Sequence, residues 1–381
     1  MKLEHYADKI IKSRITLRTI TSSGLMVELS TLGAGIQNIA LILSESPLTL
    51  LKLVLSYPDD EKLIQSGSYA GRTLCPNAGR IGSAGLYLHN QVFPLISNDG
   101  INQLHGGPHN LSFTDWTIEN TEEGTDYVKV SFSASQHDGV DGFPGNRVYH
   151  VTYTIEDMGC ITINYHAVSD RPAYINMSNH SYWNLHGIEL LSDDDLKYSK
   201  GMASGTKKEP QNSTISGLQH LLMINAKNVM LNHNDHLPKE MISVSGTPFD
   251  FRTPVSLSEN LRPDKLCDPV FGNQISIAHG YNHAYLLTKP DLRRKHRGVK
   301  HYEGLKNACT LTDPFSERKL SIVTDAPAMV LYSGGFLPEP SLYIALEAQD
   351  IPNICNILPE FMRITDPEHP FKRTIRFHIT L

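Results

Sequence analysis

A histidine and a carboxylate on two separate predicted strands are the side chains of this sequence best suited to acid–base chemistry. The histidine lies in Pro172–Gly187, whose sequence is PAYINMSNHSYWNLHG. If this segment is one extended strand, alternate side chains share a face, so His180, Tyr182 and Asn184 point to the same side. The segment therefore predicts a polar, reactive face on one strand.

The carboxylate lies near the other end of the chain, in Leu342–Ile351 (LYIALEAQDI). Apolar side chains at alternate positions predict the buried face of a strand, and Glu347 and Gln349 then point to the opposite side. Two strands far apart in sequence could thus hold an acid and a base on one rigid sheet, as general acid–base catalysis requires.

Two polar loops supply further candidates. Arg72–Ile81 (RTLCPNAGRI) has proline, asparagine and glycine between its arginines, a composition typical of loops. Asn102–His109 (NQLHGGPH) is a loop with two histidines. Arg80 and His105 are therefore candidate site residues, although solvated surface turns would have the same composition.

Motifs for several other chemistries are missing from the sequence. There is no HExxH pair, and the HGGPH histidines lie on a loop rather than on one helix face, which disfavours a zinc site. The sequence also lacks GxxxxGK[ST], a strand-linked GxGxxG and GxSxG. Metal, nucleotide and a serine nucleophile are therefore not expected.

The elements that would position these residues are mostly strands. Strict alternation of apolar and polar residues in Val128–Ala134, Arg147–Ile155 and Cys160–Val168 predicts antiparallel strands with one exposed face. No segment longer than about a dozen residues carries an apolar stripe of helical period. Residues 192–214 and 289–306 are predicted polar insertions in a single domain spanning residues 1–381.

Composition and charge limit the partners. The chain has 381 residues and a formal net charge of -6, with no extended basic face, so nucleic acid is not an expected partner. Its five cysteines lack CxxC spacing, which argues against a disulfide framework and a zinc module. The N-terminus has no apolar segment of the targeting type, so a soluble cytoplasmic protein without membrane contact is predicted.

Nine short motifs occur in an order that resembles the aldose 1-epimerase (galactose mutarotase) family over nearly the whole chain. In sequence order they are GAGIQNI, PNAGRI, LHGG with a downstream DW, DGFPGN, NMSNHSYWNL, GTPFDFR, GYNHAYL, LYSGGFL and LEAQ. The resemblance implies that family's all-β fold, a large antiparallel β-supersandwich with a sugar site on its open, concave face.

The resemblance also implies a role for each matching residue. The family's acid histidine corresponds to His180 in NHSYWNL, and its catalytic base to Glu347 in LEAQ. The residues expected to contact the sugar are Arg80, His105, Tyr182, Asn282 and Gln349. The implied substrate is a free monosaccharide, and no cofactor or metal is required.

Three positions depart from the pattern of the resembled family. Gly79 stands where an asparagine usually precedes the arginine, Asn282 replaces a sugar-binding aspartate, and Val330 replaces a glutamine. Because buried polar groups decide which hydroxyl pattern a site accepts, these changes bear on the sugar rather than on the reaction type.

For the implied reaction, Glu347 removes the proton of the anomeric hydroxyl while His180, as imidazolium, protonates the ring oxygen. The ring opens, C1 rotates about the C1–C2 bond, and reversed proton transfers close the other anomer. Three alternatives use related architecture: a glycoside hydrolase, which needs a second carboxylate, a non-catalytic sugar-binding or sensor domain, and a hexose-6-phosphate 1-epimerase with Arg72 as an extra cation.

Overall fold

The computed structural model describes residues 1–7, 14–45, 48–191, 215–287 and 304–381. Within these ranges the chain is built mainly of antiparallel strands, as its alternating pattern predicts. The three strands expected in the middle of the chain are Tyr127–Gln136, Arg147–Glu156 and Cys160–Ser169. The all-β prediction is confirmed.

The strands of the described residues are numbered in chain order. They are β1 (Glu4–Ala7), β2 (Ile15–Ile20), β3 (Leu25–Ser30), β4 (Gly35–Glu45), β5 (Leu48–Val54), β6 (Thr73–Leu74), β7 (Arg80–Ile81), β8 (Gly85–Leu88), β9 (Gln91–Pro94), β10 (Gln103–Leu104), β11 (Thr117–Glu123), β12 (Tyr127–Gln136), β13 (Arg147–Glu156), β14 (Cys160–Ser169), β15 (Ala173–Tyr174), β16 (Ser178–Asn179), β17 (Tyr182–Leu191), β18 (Leu221–Ile224), β19 (Asn228–Asn232), β20 (Pro238–Ser243), β21 (Val255–Ser256), β22 (Asn282–Leu286), β23 (Lys306–Thr312), β24 (Lys319–Thr324), β25 (Ala328–Tyr332), β26 (Ile344–Gln349), β27 (Ile364–Thr365) and β28 (Phe371–Thr380).

Helices are short and lie between strands. The α-helices of the described residues are α1 (Asp60–Ser66), α2 (Leu257–Asn260), α3 (Pro269–Ala278) and α4 (Ile354–Ile357). Single 3₁₀ turns occupy Gly82–Ala84, Leu111–Phe113, Val140–Gly142, Gly217–Gln219, Pro263–Lys265 and Pro359–Phe361.

Two large sheets contain most of these strands. The larger sheet has eleven strands in the order β1, β2, β3, β4, β5, β17, β26, β25, β22, β19, β20. The smaller sheet has nine, in the order β11, β12, β13, β14, β28, β24, β23, β18, β21. Strands β17, β26, β25 and β22 are consecutive neighbours in the larger sheet and pair antiparallel, although they come from distant parts of the chain.

The two sheets pack against each other over one large apolar core. Val27 of β3 and Phe132 of β12 both belong to it. Trp183 of β17 is fully buried there, and its ring centroid lies 5.2 Å from that of Phe377 on β28. Since the two rings come from different sheets, their contact crosses the core. Tyr182, the neighbour of Trp183 on the same strand, must then point away from the smaller sheet.

Strand β26 shows the alternation predicted for it. Ile344, Leu346 and Ala348 belong to the core between the sheets. Glu347 and Gln349 face the opposite side, where both line a pocket. The strand begins at Ile344 rather than at Leu342, so the predicted start was two residues early.

The predicted continuous strand Pro172–Gly187 is wrong, because the segment divides into β15, β16 and the start of β17, which belong to three different sheets. Strand β16 ends at Asn179 and β17 begins at Tyr182. Asn179 Oδ1 accepts hydrogen bonds from the backbone N and Oγ of Ser181, at 3.0 and 2.6 Å, an arrangement that turns the backbone locally. His180 and Tyr182 nevertheless face one pocket, whereas the amide of Asn184 donates to two backbone carbonyls elsewhere.

Arg72 is a structural residue, not the exposed loop cation suggested by its sequence context. Its guanidinium is buried and donates to the carbonyls of Leu32 at 2.6 Å and Ile36 at 2.9 Å, and to Gln37 Oε1 at 2.9 Å. It therefore ties the loop to the start of β4. It does not line the pocket described below.

Helix α3 was not anticipated, although its start signal is present in the sequence. Asp268 caps it by accepting from the backbone N–H of Val270 at 2.8 Å, and Pro269 occupies the first helical position. The helix has ten residues, too few for a clear apolar stripe.

Both predicted insertions lie largely outside the described residues, 192–214 entirely and 289–306 as far as residue 303. All five cysteines are free thiols, and Cys267 alone among them is exposed. In the described part of the chain, no helix has the length and apolar character needed to cross a membrane.

Candidate active site

A pocket of about 290 Å³ lies on the outer face of the larger sheet, the face turned away from the smaller sheet. Strands β17, β26, β25 and β22 form its floor, and loops form its walls. The pocket is lined by every site residue predicted from the sequence, namely His180, Glu347, Arg80, His105, Tyr182, Asn282 and Gln349. Its volume is close to the lower end of the range for small-molecule sites.

His180 and Glu347 face each other in this pocket. The distance between His180 Nε2 and Glu347 Oε1 is 3.7 Å, longer than a hydrogen bond. Both residues are almost fully buried, with 4% and 3% of their surface exposed. Each therefore keeps the capacity to exchange a proton with a group bound between them.

Burial shifts the pKa values of these two groups in opposite directions. Burial raises the pKa of Glu347 to about 8, and the positive charge of Arg80 acts against that rise. Burial lowers the pKa of His180 to about 3. At neutral pH this environment therefore favours a protonated carboxyl beside a neutral imidazole, rather than the carboxylate and imidazolium expected from the sequence. Both arrangements hold one proton, so they differ only by its transfer within the pair.

Tyr182 supports the His180 ring. The two rings stack with centroids 4.6 Å apart and an interplanar angle of 17°. The Tyr182 hydroxyl donates to the carbonyl of Ser68 at 3.0 Å, which fixes the ring in place. The structure therefore places Tyr182 as a platform for the imidazole, with its hydroxyl already engaged.

His105 is held by the backbone of Gly79 in a defined tautomer. The Gly79 backbone N–H donates to the ring nitrogen Nδ1 of His105 at 3.2 Å, and the backbone N–H of His105 donates to the Gly79 carbonyl at 3.1 Å. Burial lowers the pKa of His105 well below its ordinary value, and positive charge on His180 or Arg80 acts in the same direction. A neutral ring that accepts at Nδ1 carries its proton on Nε2, so His105 can donate a hydrogen bond through that nitrogen.

Arg80 is oriented by Asp99, a residue that sequence reasoning missed. Arg80 Nε lies 2.6 Å from Asp99 Oδ2 in an ion pair at the edge of the pocket. Among the described residues, no partner engages the two terminal guanidinium nitrogens, which therefore remain for a ligand. Asp99 belongs to none of the motifs quoted above.

Gln349 and Gly79 approach each other closely on the pocket wall. Gln349 Nε2 donates to Glu347 Oε2 at 3.3 Å, and its Oε1 is buried without a hydrogen-bond partner in the described residues. A Cβ on Gly79, whose φ is +79°, would lie 3.1 Å from that Oε1 and 3.2 Å from Cβ of Pro352. Glycine at position 79 thus follows from both backbone conformation and space.

Asn282 presents its side chain to the pocket from a fixed backbone. Its N–H donates to His283 Nδ1 at 3.0 Å, and its carbonyl accepts from Asn232 Nδ2 at 2.7 Å. His283 Nε2 in turn contacts Gln274 Oε1 at 3.2 Å. Burial lowers the pKa of His283 to about 3, so it acts as a neutral structural residue beneath the site.

Several aromatic residues complete the pocket without having been expected from the sequence. Tyr69, with a φ of +57°, places its ring 4.7 Å from His105 and 6.5 Å from His180, measured between centroids. Tyr332 and Phe336 also line the pocket. Tyr332 could have been found from the alternation of β25, since it lies two residues from Val330 on the same face.

Comparison with known proteins identifies a family for the chain. The model of a family described as aldose 1-epimerase matches residues 16–359. The aldose 1-epimerase of Escherichia coli (strain K12) is 28% identical over 332 residues, which cover 85% of this chain and 79% of that protein. The galactose mutarotase of Sus scrofa is 26% identical over 317 residues, 80% of this chain and 77% of that protein.

Solved structures show the same fold. A galactose 1-epimerase from Lactobacillus acidophilus NCFM matches 100% of this chain and 98% of its own, with a TM-score of 0.77 and 22% identity. A C. elegans homologue of the aldose epimerases matches 96% of this chain and 98% of its own, with a TM-score of 0.72 and 21% identity. Since the family model covers most of the sequence, the chain belongs to the aldose 1-epimerase family.

Proposed function

We propose that this protein interconverts the α and β anomers of a free aldose, with His180 and Glu347 as the groups that exchange protons with the sugar. Membership of the aldose 1-epimerase family supports the reaction. The residue roles are supported by the geometry and the pKa values of His180 and Glu347. Two buried proton-exchanging groups with oppositely shifted pKa values lie 3.7 Å apart in a pocket of about 290 Å³.

Ring opening removes a proton from the anomeric hydroxyl and delivers a proton to the ring oxygen. In the proposed direction Glu347 accepts the first proton as a carboxylate, and the His180 imidazolium supplies the second. The C1–O5 bond breaks, and the anomeric oxygen becomes the aldehyde oxygen. Rotation about C1–C2 followed by the reverse transfers closes the other anomer.

His180 and Glu347 together hold one titratable proton at every stage of this cycle, because Glu347 gains a proton as His180 loses one. Between pH about 3 and about 8 the two groups together hold one proton. That proton must reside on His180 when the ring opens, and bound hydroxyls between the two side chains provide a path for it.

We propose that Arg80, His105, Asn282 and Gln349 hold the hydroxyls of the sugar. Arg80 and His105 Nε2 offer donors, Gln349 Oε1 offers a buried acceptor, and the Asn282 amide offers both. A buried polar atom without a partner costs free energy until a ligand satisfies it. This arrangement favours a neutral, polyhydroxylated ligand.

The same lining argues against two of the alternatives. Arg80 is the only arginine or lysine among the described lining residues, and it is already paired with Asp99, which disfavours a sugar phosphate. Glu347 is the only carboxylate among them, whereas a glycoside hydrolase uses two. The sensor alternative would not need an acid and a base in contact distance. We also propose a cytoplasmic enzyme, for which the five free thiols are the support.

Polarimetry of freshly dissolved α-glucose and α-galactose tests the function. We expect wild-type enzyme to accelerate mutarotation and Glu347→Gln to lose at least about 100-fold of kcat, since a positioned proton-transfer group contributes roughly 10²–10⁴-fold. Glu360→Gln, at an exposed position outside the pocket, is the matched control and should behave as wild type. A Glu347→Gln variant that folds and keeps wild-type rates would remove Glu347 from the mechanism.

A further inference from the structure

Four pocket side chains form a row that runs across the strands of the larger sheet. Val330 of β25 is directly opposite Glu347 of β26, and Ala284 of β22 is directly opposite Val330. On the other side of Glu347 lies His180, just before the start of β17, with its Nε2 3.7 Å from Glu347 Oε1. The row therefore reads His180, Glu347, Val330, Ala284, with neighbouring strands about 4.8 Å apart.

The far half of this row is an apolar wall. Val330 and Ala284 line the pocket, are only 6% and 3% exposed, and cannot form a side-chain hydrogen bond. They belong to a second apolar cluster, which also contains Met230, Leu286 and Ala328. At the position next to the Glu347 carboxyl, a ligand therefore contacts the apolar side chain of Val330.

Polar groups lie in the rows on either side of this wall. Asn282 and Tyr332 are each two residues along their strands from Ala284 and Val330, and they face each other across the β22–β25 pair. Gln349 is two residues beyond Glu347, and its Nε2 already donates to Glu347. Two residues along a strand correspond to about 6.6 Å, so these polar side chains start one row away from Val330, whereas Val330 and Ala284 themselves offer no hydrogen-bonding atom.

The proposed roles of the acid and base orient an aldose along this row. In that proposal Glu347 contacts the anomeric hydroxyl on C1, and His180 contacts the ring oxygen. The two ring neighbours of C1, the ring oxygen and C2, lie on opposite sides of it. With the ring oxygen toward His180, C2 lies toward Val330.

We propose that this site selects 2-deoxyaldoses, sugars that carry no hydroxyl on C2. The proposal rests on the proposed function, because it uses the roles of His180 and Glu347 to orient the ring. A C2 hydroxyl placed against Val330 would lose its water without gaining a partner, whereas a C2 methylene would gain apolar contact. An apolar pocket discriminates only modestly against an added hydroxyl, so we expect a preference of roughly tenfold.

The test compares sugar pairs that differ only at C2, namely glucose with 2-deoxyglucose and galactose with 2-deoxygalactose. Each catalysed kcat/KM is divided by the uncatalysed mutarotation rate of the same sugar, which removes differences in intrinsic reactivity. We expect wild-type enzyme to favour the 2-deoxy member of both pairs by roughly tenfold. Galactose and 6-deoxygalactose are the control pair and should show no comparable gain from loss of the C6 hydroxyl.

Val330→Thr and Val330→Ala are the matched variants. Threonine has nearly the shape of valine and adds one hydroxyl, so Val330→Thr should lower the 2-deoxy preference by raising kcat/KM for the parent sugars. Val330→Ala keeps the wall apolar and should keep the preference. If Val330→Thr does not fold, the wild-type and Val330→Ala ratios still decide the matter.

Equal rates within each pair, or faster turnover of the parent sugars by wild type, would overturn the proposal while leaving anomer interconversion intact. Absence of catalysis on all of the sugars would overturn it together with the proposed function. That second case is recognised because Glu347→Gln would then be indistinguishable from wild type.

Discussion

At the scale of single residues, the site depends on two groups whose ordinary protonation is reversed by burial. A glutamate near the surface would be ionised at neutral pH, and a histidine would titrate near 6.5. Here desolvation raises the pKa of Glu347 and lowers that of His180. The pair consequently keeps a single proton over a wide pH range, the state that the proposed ring opening and closing both require.

This proton balance predicts the pH dependence of catalysis. We expect kcat/KM to be high from about pH 4 to pH 7, to fall above pH about 8 as the pair loses its proton, and to fall toward pH 3 as it gains a second. The residual activity of Glu347→Gln should lack the alkaline limb. Stopped-flow polarimetry across this range, with uncatalysed rates subtracted, measures the profile. An activity that halves between pH 6 and pH 5 would contradict it.

Asp99 is expected to act on the sugar through Arg80. Asp99→Asn should raise KM about 2–5-fold with little change in kcat, since a partly exposed ion pair contributes about 0.2–1 kcal/mol. It should also move the alkaline limb to lower pH, because Arg80 then acts on Glu347 without a neutralising partner. Asp264→Asn, which removes the surface pair with Arg262, is the control. Loss of kcat at constant KM would show that Asp99 does not act through substrate binding.

The sequence could identify those site residues whose position follows from a local pattern, and it missed those whose role depends on a contact with a distant residue. Glu347 and Gln349 follow from strand alternation, because β26 is regular from end to end. Asp99 carries no local signal, since its role depends on a loop that brings it to Arg80 from 19 positions away. The engaged hydroxyl of Tyr182 depends on the carbonyl of Ser68, 114 residues away, which no local pattern records.

At the scale of elements, the two short strands β7 and β10 hold the polar pocket residues Arg80 and His105 in place, an arrangement that we call the clamp. Strands β7 and β10 pair Arg80 with Leu104. Beside this pair, the His105 backbone N–H donates to the Gly79 carbonyl, and the Gly79 N–H donates to the His105 ring at Nδ1. Gly79 also leaves the space into which Gln349 projects. One glycine therefore sets the positions of residues from three separate parts of the chain.

Gly79→Ala is expected to damage both the fold and the site. The positive φ costs about 1–2 kcal/mol for a residue with a Cβ, and the contacts with Gln349 and Pro352 add to it. We expect a lower melting temperature and a lower kcat/KM, measured by calorimetry and polarimetry. Gly246→Ala has a similar φ of +74° with nothing within 4 Å of the new Cβ, so it should cost stability alone. Equal kcat/KM in the two variants would argue against the clamp.

Element boundaries were harder to predict than element types. The turn at His180 arises from the side chain of Asn179, whose hydrogen bonds with Ser181 replace those of a continuing strand. The start of α3 could have been found from Asp268 and Pro269, a capping residue followed by proline. In the first case a polar side chain overrides an alternating pattern, and in the second a short helix has too few turns to show one.

At the scale of the whole molecule, chemistry and stability are divided between the two faces of the larger sheet. The inner face packs on the smaller sheet through contacts such as that of Trp183 with Phe377, and the outer face carries the pocket. The apolar core between the sheets includes residues from Leu17 to Ile379, which supports our proposal of a single domain. Neighbouring positions on β17 and β26 thus serve opposite purposes, and a shift of one residue in strand register would exchange them.

The buried carboxyl of Glu347 also makes folding a proton-uptake reaction between pH 4.5 and pH about 8. Between pH 4.5 and pH about 8 the unfolded chain releases the Glu347 proton that the folded protein retains. Folding stability should therefore decline as pH rises toward 8, by up to about 1.4 kcal/mol per pH unit. Buried neutral histidines such as His180 have the opposite effect below pH 6.5. Melting temperatures between pH 6.5 and pH 8 should fall in wild type and stay level in Glu347→Gln, so the wild type alone should lose stability as the solution becomes alkaline.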